Sequence, residues 1–188
     1  MQRCGWVTAD PLYQEYHDKE WGTPQMRNAA LFEMLCLEGQ QAGLSWITVL
    51  KKRANYRAAF HQFAPQAIAP MSAEDINRLM QDSGLIRHRG KLEAIVANAR
   101  AYLTMQENGE DFAQFVWAFV DGQPQISHFS DYREAPTQTP ASVALSKALK
   151  KRGFKFVGPT TCYSFMQACG LVNDHVVGCF RHPARTLA

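Results

Sequence analysis

Four residues near the two ends of the chain have the chemistry of metal ligands. Cys4 and His17 lie near the N-terminus, and His175 and Cys179 lie near the C-terminus. Thiolate and imidazole are the usual zinc ligands, and two of each complete a tetrahedron. His175 and Cys179 are four residues apart, so a helical turn would put both on one face. Four protein ligands leave no open coordination position, which points to a structural ion. Both tails lack regular apolar periodicity, and a shared Zn2+ would tie them down. The alternative is buried thiols with incidental histidines, and His182 competes as a ligand. Cys36, Cys162 and Cys169 sit among apolar neighbours and read as core thiols.

Glu38 is a carboxylate on an apolar stripe. It follows Leu31 by seven residues and Met34 by four, so on a helix it points where they point. A buried carboxylate needs a partner, or its pKa rises. Tyr13, Tyr16, Trp21 and Trp46 are close to it in sequence. Aromatic rings around one acceptor would make a slot for a flat, electron-poor base. Ring faces attract cationic π systems, and a carboxylate accepts from an exocyclic amine. The competing reading is a structural Glu inside an aromatic core.

Charge gives a third signal. Twenty Lys+Arg against seventeen Asp+Glu leave a net +3, too little to mark a nucleic-acid binder by its total. The distribution is uneven, with basic clusters at Lys51–Arg53, Arg87–Lys91 and Lys150–Lys155. In the last, a short turn from Gly153 to Gly158 carries Lys155 between two helical patterns. Gly158 would let a phosphate approach the backbone, and the next helix would offer it unpaired N–H groups. A helix-hairpin-helix module holds a DNA backbone in this way without reading sequence. A solvated basic hairpin is the alternative.

The elements that must position these groups are helical. Ser72 and Asp75 form a capping-box start for Ile76 and Leu79. Leu92, Ile95, Val96, Ala99, Tyr102 and Leu103 form a long stripe, and Phe112, Phe115, Val116 and Phe119 form another. Thr139-Pro140 opens a helix that carries Val143, Leu145 and Leu149 and stops at Gly153. Pro159 opens the next, which ends at Gly170. No strand alternation or repeat is present, and residues 121–138 read as one long polar loop. The expected fold is therefore all-α, in one domain spanning 1–188. The hairpin would occupy about 140–170, and zinc would tether segments 1–20 and 171–188.

The composition, 46% hydrophobic and 20% charged, is that of an ordinary globular domain and excludes a disordered chain. No apolar run approaches the roughly 18 residues of a membrane helix. Without an apolar N-terminal signal segment, a reducing cytoplasmic setting and five unpaired Cys are expected. A monomer with no membrane association and no obligatory protein partner is the accompanying expectation.

Longer motifs carry a resemblance. Met1–Trp6, Asp10–Asp18, Glu20-Trp-Gly22, Leu31–Trp46, Lys151–Gly158 and Cys162–His175 closely resemble the 3-methyladenine DNA glycosylase I family of helix-hairpin-helix repair enzymes. The likeness covers residues 1 to about 180. It implies hydrolysis of the N-glycosidic bond of 3-methyladenine in alkylated double-stranded DNA, with base flipping and no lyase step. It makes Cys4, His17, His175 and Cys179 the zinc ligands. It lines the base pocket with Glu38, Tyr13, Tyr16 and Trp46, with Trp21 nearby. It assigns DNA contacts to the turn at Gly153, Lys155 and Gly158, and sends Gln41, Gly43 and Leu44 toward the gap left by the flipped nucleotide. One departure stands out. Many enzymes of the wider superfamily carry an Asp where this chain has Asn173, and a neutral amide cannot act through charge. Asp174 is offset by one residue, which on a helix would turn it elsewhere. The rival readings are a non-catalytic helix-hairpin-helix DNA-binding protein and a glycosylase with a broader range of alkylated bases.

Overall fold

The computed structural model describes residues 1–186. Within them the chain forms ten α-helices, three short 3-10 turns and a single pair of two-residue strands. The helices are α1 (Pro11–Lys19), α2 (Asn28–Gln40), α3 (Trp46–Ala59), α4 (Pro65–Ile68), α5 (Ala73–Leu79), α6 (Arg89–Glu107), α7 (Phe112–Trp117), α8 (Pro140–Lys151), α9 (Pro159–Ala168) and α10 (Pro183–Thr186). The strands β1 (Gln125–Ile126) and β2 (Val172–Asn173) pair in parallel. None of the helices is long and apolar enough to cross a membrane.

Helix α2 is the axis of the fold. Leu31, Phe32, Leu35 and Leu37 are fully buried and lie on several sides of it. A helix apolar all round must be covered all round. It is covered by α3, α6, α7 and α9. Glu38, on the last turn of this helix, is therefore buried by position.

Local chemistry starts the elements where the sequence indicates. Asp10 caps α1, accepting from the Leu12 amide at 2.9 Å. Ser72 and Asp75 form the reciprocal capping box of α5. Thr139 caps α8 with Pro140 in the first turn, and Pro159 opens α9. Helices α8 and α9 pack together across the turn at 152–158. That turn also rests on α2. A Cβ on Gly39 would lie 3.2 Å from the Phe156 carbonyl oxygen, so a larger residue there would have to push this turn back by a few tenths of an ångström.

Three expectations change. Residues 121–138 are not one free loop, because β1 pairs with β2 and Tyr132–Glu134 forms a 3-10 turn. Residues 175–179 are coil and turn rather than helix. Val143, assigned to the apolar stripe of α8, is exposed.

The basic clusters are also partly consumed by the fold. Arg53 makes a two-pronged ion pair with Glu20 at 2.7 and 2.8 Å. Arg152 pairs with Glu110 at 2.8 Å and stacks over the Phe115 ring at 4.3 Å. Lys91 is buried, and its ammonium donates to the carbonyls of Gln40 at 2.9 Å and Ala42 at 2.6 Å. These acceptors end α2, so Lys91 fastens the turn that follows it. Replacing Lys91 with Met removes charged donors from two carbonyls. We expect a loss of about 1.5–3 kcal/mol in urea unfolding, measured as a lower midpoint with an unchanged slope.

Candidate functional site

Elements distant in sequence converge on two adjacent features, a cluster of sulfur and nitrogen atoms and a cavity. The cluster joins the two ends of the chain. Cys4, His17, His175 and Cys179 are all buried, and their ligand atoms lie within 4.8 Å of one another. Cys179 Sγ is 3.5 Å from His17 Nε2 and 3.5 Å from His175 Nδ1, and Cys4 Sγ is 3.6 Å from His175 Nδ1. The group could hold a metal ion. The hydrogen bond from Cys4 holds the Cys179 thiol far below its usual range.

Outer contacts orient both imidazoles. His17 Nδ1 lies 2.8 Å from the Asp18 carboxylate, which Arg3 grips in turn. His175 Nε2 lies 2.8 Å from the Trp21 carbonyl, which can only accept. That bond places the proton on Nε2 and turns the Nδ1 lone pair toward the cluster. The proximity of His175 and Cys179 comes from a turn, closed by the Cys179 amide on the Val176 carbonyl at 2.8 Å. His182 stands apart. Its Nε2 bonds to the Ser127 carbonyl at 2.9 Å.

The cavity adjoins this cluster and encloses about 210 Å³. That is below the roughly 300 Å³ at which pockets for drug-sized ligands begin, so it suits one flat ring system. Tyr13 and Tyr16 from α1, Trp21 from the loop after it, Glu38 from α2 and Trp46 from α3 all line it. Gln41 also lines it. Gly43 and exposed Leu44 follow in the turn fastened by Lys91, beside a smaller adjoining cleft that shares Glu38 and Gln41.

The polar atoms of this cavity are unusual. Among the described residues, three buried side-chain polar atoms have no hydrogen-bond partner: Glu38 Oε2, Trp6 Nε1 and Trp46 Nε1. All three residues line the cavity. Buried polar groups are nearly always paired, so three unpaired atoms in one cavity are exceptional, and each is free to bond a group that enters it. Burial pushes the Glu38 carboxyl up to about 8. Burial, and then the charge of Glu38, push the Tyr16 and Tyr13 phenols upward.

Sequence reasoning missed several cavity residues. Trp6 stacks edge-on against Trp21 at 5.0 Å and against His17 at 5.3 Å. Its place beside Cys4 was the available signal. Asp174 lines the cavity because 172–173 is a strand and not a helix. It accepts from Ser127 at 2.7 Å, from Gln167 at 2.9 Å and from the Tyr163 phenol. Asn173 is turned to the backbone, its Oδ1 accepting from the His175 amide at 3.2 Å.

The hairpin carries its own features. Gly153 has a φ of +93°, and a Cβ on Gly158 would meet no atom within 4 Å. Lys150, Lys151 and Lys155 are exposed, as is Arg87 on the neighbouring turn. The two turns touch through Phe156 and His88, whose rings lie 5.9 Å apart.

A family profile described as methyladenine glycosylase matches residues 6–182. The chain belongs to the methyladenine glycosylase family. DNA-3-methyladenine glycosylase 1 of Escherichia coli K12 is 68% identical over 97% of this chain and 98% of its own length. A crystal structure of 3-methyladenine DNA glycosylase I superposes with a TM-score of 0.96 at 69% identity, covering 97% of this chain and all of that one. A variant of 3-methyladenine DNA glycosylase I, solved in complex with 3-methyladenine, gives a TM-score of 0.92 at 43% identity, covering 97% of this chain and 98% of that one. This methyladenine glycosylase family member thus has relatives that match it over nearly its full length.

The state of Glu38 sets a pH dependence. Its folded value of about 8 lies above its ordinary 4.5, so the native state holds a proton that the unfolded chain releases. Stability from this group is full below about 4.5 and is lost as pH rises toward 8. A Glu38→Gln protein should therefore gain stability relative to wild type between pH 5 and pH 8. Paired urea titrations at the two pH values check this, and a constant difference would contradict it.

Proposed function

We propose that the protein is a DNA glycosylase that hydrolyses the N-glycosidic bond of 3-methyladenine in alkylated duplex DNA. The observation that carries the reading is the base-sized aromatic cavity with three unpaired buried polar atoms. The names of its relatives, and the 3-methyladenine complex of one of them, support the substrate.

The reaction begins with a flipped nucleotide. Methylation at N3 gives the base a positive charge. When the C1′–N9 bond breaks, its electron pair neutralises the base, which leaves as a neutral molecule. Water adds to C1′ and gives up a proton. Trp46 stacks on the flipped ring, and Tyr13 and Tyr16 shape the slot, with Trp21 behind them. Glu38 faces the exocyclic amine, and an ionised carboxylate there accepts its hydrogen bond. A cationic base beside Glu38 favours that ionised form, because an opposite charge nearby lowers a carboxyl pKa.

The hairpin at Gly153, Lys155 and Gly158 fits the role of a helix-hairpin-helix backbone grip. The amides at the start of α9 and the three exposed lysines would meet phosphates. Gln41, Gly43 and Leu44 would fill the space vacated by the flipped nucleotide. Exposed Leu44 suits stacking against neighbouring bases, and the buried Lys91 bonds hold this turn firm. A non-catalytic binding module would use the basic turns and leave the unpaired Glu38 unexplained.

The donor set fits structural zinc. Bonds of about 2.3 Å to sulfur and 2.0–2.1 Å to nitrogen give a tetrahedral S···N edge of about 3.5–3.6 Å. Three of the four S···N separations are 3.5, 3.5 and 3.6 Å. When bound, the ion would supply cross-linking and no chemistry to the reaction. The protein would form a single domain closed by this link, acting as a monomer in the cytoplasm.

Two outcomes are expected. Wild-type protein releases free 3-methyladenine from methylated duplex DNA, read by chromatography, and Glu38→Gln lowers the excision rate more than it lowers duplex affinity. Equal losses in both would remove Glu38 from base reading. Elemental analysis should find one zinc per chain, and a strong chelator should lower the thermal midpoint.

A further inference from the structure

The segment between β1 and α8 builds one wall of the cavity, and the reading of that cavity as a base slot does not account for it. The segment is fastened at several points. The Ser127 hydroxyl donates to Asp174 at 2.7 Å, and the Val177 amide donates to the Phe129 carbonyl at 2.9 Å. At its tip, Asp131 and Glu134 form a reciprocal capping box, with the Asp131 amide donating to Glu134 at 3.0 Å. Arg133 closes on Asp131 through two further bonds of 2.5 and 2.9 Å. This braced turn presents Tyr132, which lines the same cavity as Glu38 and Trp46.

Tyr132 has the marks of a rim residue rather than a core residue. It is 39% exposed, whereas Tyr16, Trp21 and Trp46 are buried. Its ring leans on the backbone of Gly5, where an added Cβ would lie 3.1 Å from two ring carbons. The ring is thus backed on one side and open to the cavity and solvent on the other. A braced, backed aromatic at the mouth of a small slot limits the bulk that can enter.

We propose that Tyr132 is a specificity-determining residue that restricts the slot to purines with a small N3 substituent. This rests on the glycosylase reading above. N3 lies on the same edge of a purine as N9, whose sugar must stay at the mouth, so on this proposal the Tyr132 ring would meet an N3-ethyl group and clear an N3-methyl group. Removing the ring opens the wall without touching Glu38, the tryptophans or the metal cluster.

The test compares release of 3-ethyladenine and 3-methyladenine from duplexes carrying each lesion. One methylene at a fixed wall is worth about 10-fold or more in discrimination, so Tyr132→Ala should raise the 3-ethyl to 3-methyl ratio by about that factor. Tyr132→Phe should keep the wild-type ratio, because the ring and not the hydroxyl sets the limit. Tyr132→Leu, which retains an apolar side chain on the turn, should fall between them. An unchanged ratio in both Tyr132→Ala and Tyr132→Leu, with wild type releasing 3-methyladenine normally, overturns the inference and leaves the glycosylase reading intact. Release of neither base by wild type overturns both.

Discussion

One bond connects the ends of the chain to its cavity. His175 Nε2 donates to the carbonyl of Trp21, and both His175 and Trp21 stand at the border of the two features. The contact is close enough to constrain its neighbour. Gly22 has a φ of +78°, and a Cβ there would lie 2.9 Å from the His175 ring. Through this bond the orientation of the imidazole and the position of the Trp21 wall are set together. Cys4 carries Trp6 into the same wall two residues later, and His175 carries Asp174 one residue earlier. The contact between residues 4–17 and 175–179 therefore shapes a pocket while joining the two ends of the chain. Such a link matters most where tails have little apolar surface of their own to bury.

The cavity runs against the usual economy of folding. An unpaired buried polar atom costs about 1–3 kcal/mol, and three of them share one cavity. Packing on α2 offsets this cost, because the helix is covered on every side and cannot turn Glu38 outward. The resulting carboxyl, raised by burial, lacks a partner until a ligand brings one. In the proposed function, a cationic base with an exocyclic amine would supply both the charge and the donor. Selectivity on this account comes from what the site lacks when empty.

Electrostatics outside the cavity are economical. A net charge of +3 would be a weak handle on DNA if it were spread evenly. Instead, ion pairs neutralise several cations that help hold the fold, such as Arg53, Arg57 and Arg152. The exposed lysines of the hairpin pair with no carboxylate of the described residues and stay available on one surface. The charge that remains unpaired counts for more here than the charge total.

The sequence by itself determined the ligand types at the two ends, the apolar stripe that carries Glu38, the caps of α5 and α8, and the hairpin before Pro159. These are legible because propensity, periodicity and capping act within a few residues. Only the tertiary structure decided which basic residues are consumed, because Arg53 meets Glu20, Lys91 meets the end of α2, and Arg152 meets Glu110 across long stretches of chain. It likewise decided that Trp6, Tyr132 and Asp174 reach the cavity. Each arrives from a turn or from the coil just after a two-residue strand, where no period reports which way a side chain faces. The physical reason is common to both cases. Coulomb energy and desolvation depend on distance through space, and a cavity wall is assembled from segments that sequence order keeps apart.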